Sequence, residues 1–160
     1  MNRVLSLAII ALFPFTLAAQ EVSETPGPEV LQVSEPAQFL PIPADGVDLN
    51  EFLWKKRPLV VFANSPSDPA FAEQLRLLAE RWPDLAARDV VVITDSDPDA
   101  KSPPRNKLHP RGFSLVLIEK DGSVGFRKPI PWDVREISRA IDKMPLRREE
   151  IRNGLTGAGG

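Results

Sequence analysis

The sequence predicts an α/β fold with a central mixed β-sheet of about four strands flanked by helices. Three observations predict it. Two short apolar runs rich in β-branched residues, at 58–63 and 90–93, flank a stretch with helical periodicity. Asp121-Gly122 is a hairpin turn signal between two further strand-like segments. An amphipathic stretch over 134–144 supplies a closing helix.

The elements follow in order. Asp48 is placed to cap a short helix through Trp54. Pro58 to Ala63 reads as a strand apolar on both sides, the pattern of a strand covered by helices on two faces. Asn64-Ser65-Pro66-Ser67-Asp68 is a turn, and Asp68 with Pro69 gives a helix N-cap followed by proline at the first helical position. Phe71, Leu75, Leu78 and Trp82 share one face of that helix, and Pro83 is expected to close it. Val90 to Ile93 is a second buried strand, completing a βαβ unit with an expected right-handed crossover. Thr94 to Leu108 is polar and proline-rich, a loop with room for one short helix. Phe113 to Ile118 is a third strand, and Ser123 to Arg127 a fourth. Asp133 and Glu136 have capping-box spacing ahead of a helix faced by Val134, Ile137, Ile141 and Met144. Pro145 ends or kinks it, and Arg147 to Arg152 add a short terminal helix.

Residues 1–19 read as a signal peptide: Arg3, then an apolar run from Val4 to Phe13, then small residues around Ala18 and Ala19. The run is shorter than the ~20 residues that span a bilayer. A periplasmic or secreted protein is therefore expected. Residues 20–45, rich in Pro, Glu and Ser, read as a linker or arm, with Phe39-Leu40 available to dock on the domain. Residues 46–152 form the ordered domain, and 153–160 a glycine-rich tail.

Composition narrows the chemistry. The chain has no cysteine, so it makes no disulfide of its own and does no thiol chemistry. The formal net charge is −2, and loss of Arg3 with the leader makes it more negative by one. Nucleic acid is not an expected partner, since a basic stripe is lacking. Lys55-Lys56-Arg57 and Arg147-Arg148 are expected to be solvated surface. His109 is the only histidine, so a zinc or copper site is not expected. Asp95, Asp97 and Asp99 copy the opening of a calcium loop, but Ala100 and Asn106 stand where its glycine and closing acid belong. No cofactor is expected.

The order β-α-β, loop, hairpin, helix is that of a thioredoxin fold. Arg57-Pro58-Leu59-Val60-Val61-Phe62-Ala63, Arg88-Asp89-Val90-Val91-Val92, Leu117-Ile118-Glu119-Lys120-Asp121-Gly122 and Ile141-Asp142-Lys143-Met144-Pro145-Leu146-Arg147 carry a closer likeness. They resemble a family of thioredoxin-like, peroxiredoxin-related domains of unknown function. That family occurs in exported bacterial proteins, with relatives in animal extracellular proteins that include sushi-repeat-containing ones. The resemblance spans about Leu49 to Arg152 and implies the fold, with no established activity. Redox-active relatives keep a thiolate in the turn after the first long strand, where a helix dipole lowers its pKa. Here that turn is Asn64 to Asp68, and Arg111-Gly112-Phe113-Ser114 stands where such relatives have a cis-proline.

Two functional readings follow. The first is a non-catalytic binding module for a protein or small molecule of the cell envelope, without membrane association once the leader is removed. Its expected surface is Asn64, Ser65, Ser67 and Asp68 with Arg105, His109 and Phe113. The second is a cysteine-independent enzyme built from Ser65 or Ser67, His109 and an acid. It requires nucleophile and base to converge within about 3 Å.

Overall fold

The computed structural model describes residues 38–154. Residues 1–37, read as a signal peptide and most of the arm, and residues 155–160 of the expected tail lie outside the described residues.

Five strands form one mixed sheet. β1 is Ile42–Pro43, β2 Arg57–Phe62, β3 Val90–Asp95, β4 Ser114–Ile118 and β5 Val124–Lys128. Their order is β1-β3-β2-β4-β5. β1, β3 and β2 are parallel, while β4 is antiparallel to both β2 and β5. The strand beyond the expected four is β1, an edge pair of two residues in register with Ile93 and Thr94. It lies in the segment read as the end of the arm. Phe39, just before it, packs edge-on against Trp82.

The double-sided apolarity of β2 has a direct structural reading. All six of its residues are buried. Leu59 and Val61 face a layer made by α1 (Pro69–Glu80), α2 (Trp82–Ala86) and α4 (Val134–Lys143), where Leu78, Leu85, Ile137 and Ile141 meet them. Val60 and Phe62 face the opposite layer, with Leu49 of a short 3-10 helix (Leu49–Phe52) and Leu108 of α3 (Pro103–Leu108). A strand with period-two alternation and helices on both sides needs apolar residues at every position.

The caps behave as their chemistry dictates. Asp48, Asp68 and Asp133 accept from the backbone N–H two residues on, at 2.8, 2.8 and 2.7 Å. Two local expectations change. Pro83 does not stop helical structure but lies in the first turn of α2, where its missing N–H costs nothing. The capping box at Asp133 is half made, because Glu136 pairs with Arg139 instead. The buried stripe of α1 also includes Gln74, whose amide both donates to and accepts from the Trp132 backbone, at 3.1 and 2.7 Å. One polar side chain thereby pins the β5–α4 connection to α1.

Of the clusters expected to be solvated, Lys55, Lys56 and Arg148 are exposed, while Arg57 and Arg147 are corrected. Arg57 is fully buried, and Arg147 is 6% exposed. Arg57 Nη2 donates to Glu150 of α5 (Pro145–Arg152) at 2.8 Å, and its Nη1 to the Arg88 carbonyl at 3.0 Å. Glu150 also holds Lys120 at 3.0 Å and Arg147 at 3.1 Å. Lys120 holds Asp89 at 2.8 Å, and Arg88 forks onto Asp142 at 2.9 and 2.7 Å. Each of the four segments that carry the family resemblance contributes to this cluster. Met144, from the last of them, closes over Gly125, where an added Cβ would lie 2.7 Å from its Cε.

Burial pushes the Glu150 carboxyl up, but hydrogen bonds from Arg57, Lys120 and Arg147 outweigh it and hold the group below its usual range. Its stabilisation is then complete above the unfolded pKa and is lost as pH falls below about 4.3. Glu119 works the other way. Burial and the Asp121 charge push it up, against Arg57, so its protonation offsets part of the acid loss. Glu150→Ala is expected to lower the unfolding free energy by about 3–5 kcal/mol and to weaken the acid dependence. Urea unfolding from neutral to acid pH measures both. A loss below about 1 kcal/mol, as for an exposed pair, would contradict the clasp.

Candidate functional site

The thiol-less turn satisfies itself. Ser65 Oγ accepts from the Ser67 N–H at 3.1 Å, and the Ser65 carbonyl accepts from Asp68 at 3.1 Å. Asn64, Ser65 and Ser67 are exposed. Asp68 is occupied as the cap of α1.

Arg105, expected on the docking surface, lines the surface there and is also a brace. Its Nε and Nη2 reach Asp95 Oδ1 at 3.0 and 2.6 Å, and Nη2 also donates to the Ala63 carbonyl at 2.8 Å. The guanidinium lies 5.4 Å from the Phe62 ring centroid. Ser102 donates to the other Asp95 oxygen at 2.5 Å and caps α3 by accepting from the Arg105 N–H. The brace thus ties α3 to the ends of β2 and β3. It also accounts for Asp95, the first acid of the calcium-like run. Asp97 accepts from the Asp99 N–H in a local turn. Among the described residues no three acids or histidines gather to hold a metal.

His109 ends α3 in a left-handed conformation, φ 47°, and is exposed. Phe113 is a core residue, 9% exposed, that shows one edge at the surface. Two adjoining concavities share His109 and Arg111. One, about 500 Å³, has Leu108, Phe113 and Pro129 as its apolar lining and His109, Arg111 and Arg127 as its cationic or titratable rim. The other, about 560 Å³, runs from Asn64 past Lys101, Arg105 and Asn106. Ser65 and Ser67 line neither, and among the described residues neither serine hydrogen-bonds to His109. Asn64, Arg105, His109 and Phe113 are brought to this surface. Ser65, Ser67 and Asp68 stay in their turn.

Lys101, Arg111, Arg127 and Pro129 were not anticipated as site residues. For the loop cations a signal was present: residues 101–111 contain four Lys or Arg and no acid. Arg127 comes from the neighbouring β5, and only the sheet register, Val116 opposite Arg127, brings it alongside.

The family model described as "Domain of unknown function (DUF4174)" matches residues 48–150, more than half of the chain. Coiled-coil domain-containing protein 80 of Danio rerio is 27% identical over 133 residues. That match covers 64% of this chain, and the chain spans 15% of the length of that relative. The reduced 2-Cys peroxiredoxin of Plasmodium vivax superposes with a TM-score of 0.53 at 17% identity, covering 64% of this chain and 85% of that one. At that identity the likeness is one of fold alone, and it supports the thioredoxin-like assignment.

Arg105→Ala strands the Asp95 carboxylate and is expected to cost about 3–5 kcal/mol. Asn64→Ala, at an exposed position, should stay within about 0.5 kcal/mol of the parent. Chemical denaturation of the two variants separates a brace from a surface contact. Equal, small effects would contradict the brace.

Proposed function

The chain belongs to the DUF4174 family, and from that premise we propose that it is an exported, non-redox binding module. The observation that carries this reading is the pair of adjoining concavities at the end of the sheet. They are lined by Lys101, Arg105, Arg111, Arg127 and His109 and by no carboxylate, in a chain whose net charge is negative. A fold can keep its scaffold while its site changes use. The turn that holds a thiolate in redox-active relatives is here a closed polar turn, and the neighbouring loop presents a cationic surface. Export is supported by the leader-like pattern of residues 1–19.

The alternative, a serine–histidine enzyme, draws no support from the arrangement of the serines. A nucleophile without an adjacent base is weak at neutral pH.

Native protein purified from the cell envelope tests the reading. Its N terminus is expected near Gln20. Peroxide reduction and thiol–disulfide exchange should stay at the buffer rate. Turnover above buffer would contradict the non-redox role, and a chain that still begins at Met1 would contradict export.

A further inference from the structure

Charges are distributed unevenly over the two ends of the sheet. At the β2 start, Arg57, Arg88, Lys120 and Arg147 all have carboxylate partners. At the opposite end Arg105 is neutralised by Asp95. Among the described residues, Lys101, Arg111 and Arg127 have no carboxylate within ion-pair distance. Two of these, Arg111 and Arg127, rim one concavity with His109. Like charges gathered round one hollow raise its potential and favour an anion there.

The hollow is prepared on both counts that a small-molecule site needs. Arg127 Nη2 donates to the Leu108 carbonyl at 2.8 Å, which fixes the guanidinium at the rim, and Nη1 lies 3.5 Å from Ser114 Oγ. A guanidinium has five donors, so this anchoring leaves others for a ligand. Below the rim, Leu108 and Phe113 are buried core residues that each show an apolar edge. Their positions are set by the sheet and by α3, which the Asp95–Arg105 brace holds in place. The volume, about 500 Å³, is that of sites for small organic ligands.

We infer that this hollow binds a small amphipathic carboxylate, its head held by Arg111 and Arg127 and its apolar body laid against Leu108, Phe113 and Pro129. The inference rests on the reading of this end of the sheet as a binding surface and adds the ligand class. An inorganic anion would leave the apolar wall unused. A neutral apolar molecule would leave the two cations at the rim uncompensated. Guanidinium and carboxylate match as planar, charge-assisted hydrogen-bond partners.

Octanoate is the probe, with octanamide and acetate as controls that remove the charge and the apolar body respectively. Binding to the full chain is followed by calorimetry and by amide chemical shifts. Octanoate is expected to bind and to shift the amides of Leu108, Phe113 and Arg127. Octanamide should bind about tenfold more weakly, as should octanoate to Arg111→Gln, the loss of one charged hydrogen bond. Arg111 is exposed, so its variant should keep the parental melting temperature. Arg127→Gln gives a second, independent loss. Four results would each overturn the inference. These are no octanoate binding up to millimolar concentration, equal affinity for octanamide, equal affinity for acetate, or unchanged octanoate affinity in both variants. None of them bears on redox turnover, so failure of the ligand class is distinct from failure of the binding-module reading.

Discussion

A buried guanidinium sets the terms for this fold. Arg57 opens the central strand and has no exposed surface. Desolvating such an ion costs several kcal/mol, so it persists only where a carboxylate and further acceptors meet it. Glu150 supplies the carboxylate from 93 residues away in the chain, and the Arg88 carbonyl supplies an acceptor. The last helix therefore has to return to the start of β2. Lys120, beside the hairpin turn, has to lie against the same carboxylate and against Asp89. This single requirement couples the hairpin, the loop before β3 and the terminal helix.

The same arrangement explains why the family-like segments are spread along the chain. Arg57, Arg88-Asp89, Lys120 and Asp142 with Arg147 are far apart in sequence and adjacent in space. They hold the fold together at one end of a strand that is about 17 Å long. The opposite end is organised by a second, smaller ionic unit, Asp95 with Arg105 and Ser102. That unit shapes the loop, and the cations beyond it face solvent. Lys101, Arg111 and Arg127, without carboxylate partners among the described residues, thus lie at the end of the strand opposite to the Arg57–Glu150 cluster.

Local chemistry was legible in the sequence. The principal strands came from apolar runs and, for the fourth, from the Asp121-Gly122 turn, and the helix starts from Asp48, Asp68 and Asp133, because a cap acts within two residues of itself. What escaped depends on distant partners. β1 is two residues long and exists through pairing with β3. Gln74 is buried on a helix face because it meets the Trp132 backbone, 58 residues on. Arg57 resembled part of a surface cluster because Glu150, its partner, is supplied by another element, and Arg147 because its guanidinium also reaches the Ala87 carbonyl, 60 residues away. The candidate site was half legible. His109 and Phe113 fall on it, while Arg105 is consumed by a buried carboxylate and Arg127 arrives through sheet register.

Amide hydrogen exchange on the full chain reads the coupling between the terminal helix and the central strand. A terminal helix attached by surface contacts frays, and its amides exchange far faster than those of the core. If Arg57 and Glu150 join α5 to β2, the amides of the first turn beyond the cap residues through Ile151 should exchange with protection close to that of Leu59 to Val61. Exchange of α5 orders of magnitude faster than that of β2 would contradict the joining role assigned to the buried guanidinium.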